Sequence, residues 1–135
     1  MGRLLAGKID FGKSVEVDLV IWRKQPHKLP YLTRLGGIPW RDRSLPWPTT
    51  ESGQAYTFIG QYCLSEMVSP VPFTPKSDLI LIFGSEETAL CPDSVLLEWG
   101  DTNLTDPVQE KDCPQAQFSV PQYFAELHRV TVYPD

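Results

Sequence analysis

Apolar and polar residues alternate along several short stretches of this chain with the two-residue period of a β-strand. Ser14 to Arg23 reads SVEVDLVIWR, with Val15, Val17, Leu19 and Ile21 on one side. Glu16 and Asp18 begin the other side, which turns apolar at Val20 and Trp22. This predicts a strand that is half-buried at its start and more deeply buried at its end. Gln54 to Leu64 alternates the aromatics Tyr56, Phe58 and Tyr62, with Gly60 read as a bulge or a close backbone approach. Leu79 to Phe83 is an unbroken apolar run between Asp78 and Gly84, the pattern of a strand covered on both faces. Ser94 to Trp99 and His128 to Tyr133 complete five predicted strands.

Helix is expected to be scarce. Thirteen prolines and nine glycines punctuate the chain, and the longest stretches free of both are residues 13–25 and 122–133. Proline breaks helix interiors and glycine weakens them. Pro121 suits a first helical position, so a short helix is expected over Gln122 to Leu127, with a further turn over Ser65 to Val68. Residues 24–53 form a long loop holding five prolines, Gly36-Gly37, Trp40 and Trp47. Loops of this length are functional or packed by their own side chains.

The length of 135 residues is that of a single domain over 1–135. A 41% hydrophobic and 21% charged composition argues against disorder and against a coiled coil. Net charge is −5, from 12 basic and 17 acidic residues, which disfavours a nucleic-acid partner. Half of the Lys and Arg nevertheless fall between Arg23 and Arg43, whereas residues 86–112 are acidic. No apolar run approaches the roughly 18 residues of a membrane span, and the apolar part of Leu4-Leu5-Ala6 is too short for a signal peptide. Cys63, Cys91 and Cys113 are odd in number and lack CxxC spacing, which suits a reducing compartment. A cytoplasmic protein with no metal and no cofactor is the expectation.

Candidate chemistry is sparse. Gly36-Gly37-Ile38-Pro39 signals a turn, because Pro39, Pro46 and Pro48 deny it the helix that a phosphate-binding loop needs. Pro72-Phe73-Thr74-Pro75 has PxxP spacing, but prolines leading into a strand account for it equally. No GxSxG occurs, and neither His27 nor His128 lies near a cysteine in sequence, so no catalytic residue is assigned. Trp40 and Trp47, with Arg41 and Arg43 between them, are the residue types that anchor interfaces. The alternative is that both tryptophans fold back as lids over a sheet.

The ordered set Leu35-Gly36-Gly37-Ile38-Pro39, Trp47-Pro48, Gly53, Phe58-Ile59-Gly60-Gln61-Tyr62-Cys63-Leu64 and the Leu79 to Phe83 run resembles the bacterial YwqG-like family, a domain of unknown function. The resemblance covers roughly residues 31–100, and Asp93 to Trp99 resembles the family's next strand. Tyr62-Cys63 departs from the aliphatic and polar pair usual after the glutamine, and the chain is shorter than many members. The resemblance implies a β-rich α+β fold and brings no catalytic residues. Family members are often linked with toxin–immunity neighbourhoods, which favours a binding role.

The expected architecture is therefore a β-dominated α+β domain. It has a twisted, mainly antiparallel sheet of five or more strands, one or two short helices, and the Pro/Trp loop over one face. The expected function is a non-catalytic module binding an unidentified protein partner, with Trp40, Arg41, Arg43, Trp47 and Gln61 as binding residues. The alternative is a small-molecule pocket between the loop and the sheet near Gln61 and Trp99. A homodimer through an open sheet edge is the third reading.

Overall fold

A computed structural model describes residues 15–66, 75–86 and 95–132. The Met1 to Ser14 stretch, Pro72-Phe73-Thr74, Cys91 and Glu87 lie outside the described residues. Six strands form one antiparallel sheet: β1 (Val15–Arg23), β2 (Arg34–Leu35), β3 (Thr57–Cys63), β4 (Leu79–Gly84), β5 (Leu96–Gly100) and β6 (Tyr123–Val132). Their spatial order is β1-β6-β2-β3-β4-β5, so the C-terminal strand is inserted between β1 and the two-residue β2.

The alternation seen in the sequence becomes a division of faces. In β4, Leu79, Leu81 and Phe83 are fully buried, whereas Ile80 and Ile82 are half-buried. Register carries the first set across to Phe58, Gln61 and Cys63 in β3 and to Leu96, Glu98 and Gly100 in β5. The residues from 24 to 56 pack on this face: Tyr31, Leu32, Trp40, Trp47 and Tyr56 all meet the Phe58–Cys63–Leu79–Leu81–Phe83 core. Removing each of these core side chains from water contributes about 1.5–3 kcal/mol.

The opposite face is apolar from Val20 across to Trp99. Following the register, Val20 and Trp22 line up with Leu127 and Ala125. Tyr123 then leads through Leu35, and Ile82 and Ile80 lead to Leu97 and Trp99. None of these eleven side chains with Tyr62 carries a charge. All but the buried Ala125 remain partly or largely exposed, Leu97 at 64%.

One sequence expectation is overturned. The helix predicted over Gln122 to Leu127 is strand from Tyr123 onward, because Phe124 to Val132 pairs residue by residue with β1 from Arg23↔Phe124 to Val15↔Val132. Six residues of helical propensity cannot compete with a nine-pair antiparallel ladder. His128 consequently lies within a strand rather than opening one, and its Nε2 meets Glu126 at 2.8 Å. Among the described residues helix is limited to two 3-10 turns, Leu64–Glu66 and Glu110–Asp112.

Gly60 fulfils both readings made of it. The β3–β4 register shifts between Phe58 and Gly60, which marks a bulge, and a Cβ on Gly60 would stand 2.7 Å from the Arg34 carbonyl oxygen. A backbone atom cannot yield as a flexible side chain can. Gly60→Ala is expected to destabilise the protein by about 1–3 kcal/mol through overpacking. Gly53→Ala, where no atom stands within 4 Å, carries only the penalty of its positive φ, about 1–2 kcal/mol. Urea unfolding of the two variants measures both, and a Gly60→Ala loss well below about 1 kcal/mol would show that the β2–β3 approach has slack.

Candidate functional site

Gln61 organises the loop. Its side chain is on the loop-covered face and the residue is 2% exposed, so its carboxamide needs partners inside the protein. The Trp40 backbone N–H donates to Oε1 at 2.9 Å, and Nε2 donates to the carbonyls of Pro30 at 2.9 Å and Leu32 at 3.0 Å. One side chain thus closes the segment between Pro30 and Trp40 onto β3. Thr33 adds a second tie: Cys63 N–H donates to its Oγ1 at 2.8 Å, and its own N–H donates to Glu66 Oε1 at 2.6 Å.

The other predicted anchors are also engaged internally. Arg41 is 5% exposed; its Nε and Nη2 donate to the two carboxylate oxygens of Glu98 at 2.7 and 3.2 Å. Its remaining donors reach the carbonyls of Leu45 and Pro46, and the guanidinium lies 5.9 Å from the Trp47 ring centre. Trp47 stacks edge-on against Phe83 and donates from Nε1 to the Tyr56 carbonyl at 2.8 Å. Trp40 donates from Nε1 to the Thr102 carbonyl at 3.0 Å. Arg43 turns the other way, with Nε 3.1 Å from Asp112 and 3.7 Å from Asp106. These are ion-pair distances without hydrogen-bond alignment, since the buried Nε makes no hydrogen bond.

Thr102 is itself held by Asp78, whose Oδ2 accepts from Oγ1 at 2.7 Å and whose Oδ1 accepts from the backbone N–H at 3.3 Å. The threonine hydroxyl bond holds the Asp78 carboxyl below the ordinary aspartate range, against partial desolvation acting the other way.

Where the loop leaves the sheet it encloses a groove of about 330 Å³. Trp47, Tyr56 and Phe58 form an aromatic wall, Gly37 to Pro39 another, and Glu110, Cys113 and Gln122 come from the segment before β6. That segment is tied down through Gln117, which donates from its backbone N–H to Thr57 Oγ1 and from Nε2 to the Ala55 carbonyl. Desolvation, then the carboxylates of Asp112 and Glu110, push the Cys113 thiol up, so it is protonated at neutral pH and a weak nucleophile. Beside Gly37, outside the groove's lining, stands Arg34. Burial lowers its guanidinium to about 10, and its buried Nε makes no hydrogen bond.

The structure thus joins Gln61 to Trp40 and Arg41 to Trp47, and separates Arg43 from both pairs. It does not bring Gln61 and Trp99 onto one face: Gln61 aligns with Leu81 and Glu98, while Trp99 aligns with Ile80 on the other side. One groove lies beside Trp47, and another of about 440 Å³ runs between Arg41, Asp42 and Leu45 of the loop and Leu81, Glu98 and Trp99 of the sheet. Arg34, Glu110 and Gln122 were not singled out from the sequence; only the neighbouring Gly36-Gly37 pair signalled that the backbone turns there. Gly36 and Gly37 do both have positive φ, 67° and 79°. No metal-ligating cluster of three or more His, Cys, Asp or Glu occurs among the described residues, and none of their helices is long and apolar enough to cross a membrane.

Compared with protein-family models the chain matches none, and no curated protein matches it.

Gln61→Leu leaves a buried N–H and two carbonyls without their partner, and is expected to cost about 3 kcal/mol by urea unfolding. Full retention of stability would show that the loop holds without the amide. A pH effect follows from Asp78. With its folded value lowered, its contribution is complete above the unfolded aspartate range, near pH 4–5, and is lost as pH falls through the lowered value. Thr102→Val should therefore be less stable than the parent at pH 7, with the difference narrowing towards pH 3. A constant difference would separate the threonine from the carboxylate.

Proposed function

We propose that this is a non-catalytic protein-binding module of the YwqG-like kind, immunity-like in role and cytoplasmic, and that it docks its partner on the face of the sheet opposite Trp40 and Trp47. The observation that carries this reading is the uncharged apolar surface centred on Ile80, Ile82, Leu97 and Leu35, with Leu97 at 64% exposure. Contiguous apolar surface of this sort marks an interaction site. The loop residues first considered as anchors hold the scaffold, since Trp40, Arg41 and Trp47 direct their polar atoms to carbonyls and to Glu98. The net charge of −5 favours a partner of positive net charge, steering encounter at long range while apolar contact supplies the affinity. No cofactor or nucleic acid has a role in this reading.

The test is native mass spectrometry of the protein and of Leu97→Asp, each purified gently from the natural host. The parent is expected as a heteromeric complex with a basic protein, and Leu97→Asp as the free chain with unaltered thermal stability. A parent recovered as a bare monomer or a homodimer would overturn the reading, as would a complex that survives Leu97→Asp.

A further inference from the structure

β5 ends the sheet: it pairs with β4 and with no other strand among the described residues. An edge strand offers a row of backbone N–H and C=O groups to any extended chain laid beside it. Proteins that keep such an edge unpaired blunt it with charge, proline or a bulge. β5 reads LLEWG, without proline, and its ladder with β4 runs without a bulge. Its exposed residue is Leu97, and its one charge, Glu98, is neutralised by Arg41. Nothing in the strand's own residues blunts the edge.

Two grooves flank this strand. One of about 190 Å³ is lined by Ile80, Leu97, Glu98 and Trp99; Glu98 and Trp99 also line the other, of about 440 Å³, together with Asp42, Leu45 and Asp101. Successive residues of a strand point to opposite faces, so grooves that share Glu98 and Trp99 meet at the strand's edge. Their chemistry differs. The smaller is apolar apart from Glu98. In the larger, Arg41 and Glu98 cancel, which leaves Asp42 and Asp101. Asp42 accepts from Ser44 and Asp101 from the Asn103 N–H, and neither has an ion pair among the described residues. The edge is therefore apolar on one side and negative on the other.

We propose that β5 receives an extended segment of the partner protein as a further strand, with apolar side chains on the Leu97 side alternating with Lys or Arg on the side of Asp42 and Asp101. Main-chain hydrogen bonds supply affinity in this mode, and the two grooves read alternate side chains. The inference rests on the protein-binding reading above and carries its apolar patch over the edge of the sheet, since Ile80 and Leu97 belong to both the patch and the smaller groove. Charge complementarity selects a basic segment. A second copy of this chain does not fit: antiparallel pairing of β5 with itself keeps like faces together, so the acids of both copies would meet across the two-fold axis.

The probe is the capped peptide Lys-Val-Lys-Val-Lys-Val-Lys, titrated into the ¹⁵N-labelled full chain at pH 7 and low salt. Saturable shifts are expected along Leu96–Gly100, with slower hydrogen exchange at two or more of those amides. The same peptide N-methylated at two successive central residues, which blocks both of its edges, should bind about tenfold more weakly or worse. The isomer Lys-Lys-Lys-Lys-Val-Val-Val, equal in charge but without alternation, should do likewise. Asp42→Asn combined with Asp101→Asn keeps the turn hydrogen bonds, removes both charges, and should weaken the alternating peptide by about three- to fivefold. Equal binding of the N-methylated peptide or the block isomer overturns strand addition, as does an absence of binding or a set of shifts confined to other strands. Unchanged affinity in the double variant overturns the basic half of the pattern. None of these outcomes alters the host complex or its sensitivity to Leu97→Asp, whereas a parent recovered alone from the host overturns the docking reading whatever the peptide does.

Discussion

The Gln61 carboxamide is the interaction on which the site depends. At 2% exposure it makes three hydrogen bonds, and each goes to the backbone of the segment between Pro30 and Trp40. A proline-rich loop has few backbone donors and no ladder of its own, so its polar groups must be satisfied from the sheet. Gln61 does this for three of them. Once Trp40 is fixed, its indole meets Thr102 beyond β5, and Arg41 is carried to Glu98 in β5. The same chain of contacts then sets Trp47 on Phe83 and thereby forms the wall of the groove.

The sheet has two apolar faces with different fates. Alternation in β4 puts Leu79, Leu81 and Phe83 under the loop and Ile80 and Ile82 on the other side. Burial of the first set drives the loop onto the sheet. The second set contributes little to that core and, with Leu97 exposed beside it, forms an apolar patch, which is why a protein partner is proposed there rather than at the tryptophans.

Charge is distributed with similar economy. Buried or half-buried arginines on the loop side are matched to acids, and the bidentate Arg41–Glu98 pair also bonds the Leu45 and Pro46 carbonyls. A guanidinium with every nitrogen hydrogen-bonded in this way fixes geometry more than it adds stability. Arg34 is the departure from the rule: it stands beside Gly37 with no acid in ion-pair distance among the described residues, and its buried Nε makes no hydrogen bond.

Much of the framework could be read along the chain. Period-two alternation located β1 and β3, an unbroken apolar run located β4 and a short apolar stretch β5, each to within a few residues; the prolines excluded long helices, and Gly60 announced its bulge. These features are local: they follow from side-chain direction on a pleated strand and from the φ restrictions of proline and glycine. The expectation for Gln122 to Leu127 failed because its conformation is set by pairing with β1, about a hundred residues earlier in the chain. Trp40, Arg41, Trp47 and Gln61 were legible as notable residues, but not as parts of one internal scaffold. Whether a tryptophan anchors a partner or a core depends on what folds against it, and Thr102, Tyr56 and Phe83 are remote or unremarkable in sequence. The sequence alone determined a β-dominated chain with one long, aromatic loop. Only the tertiary structure decided which face that loop covers, which arginine is left without an acid, and where a groove remains, because each depends on contacts between segments far apart along the chain.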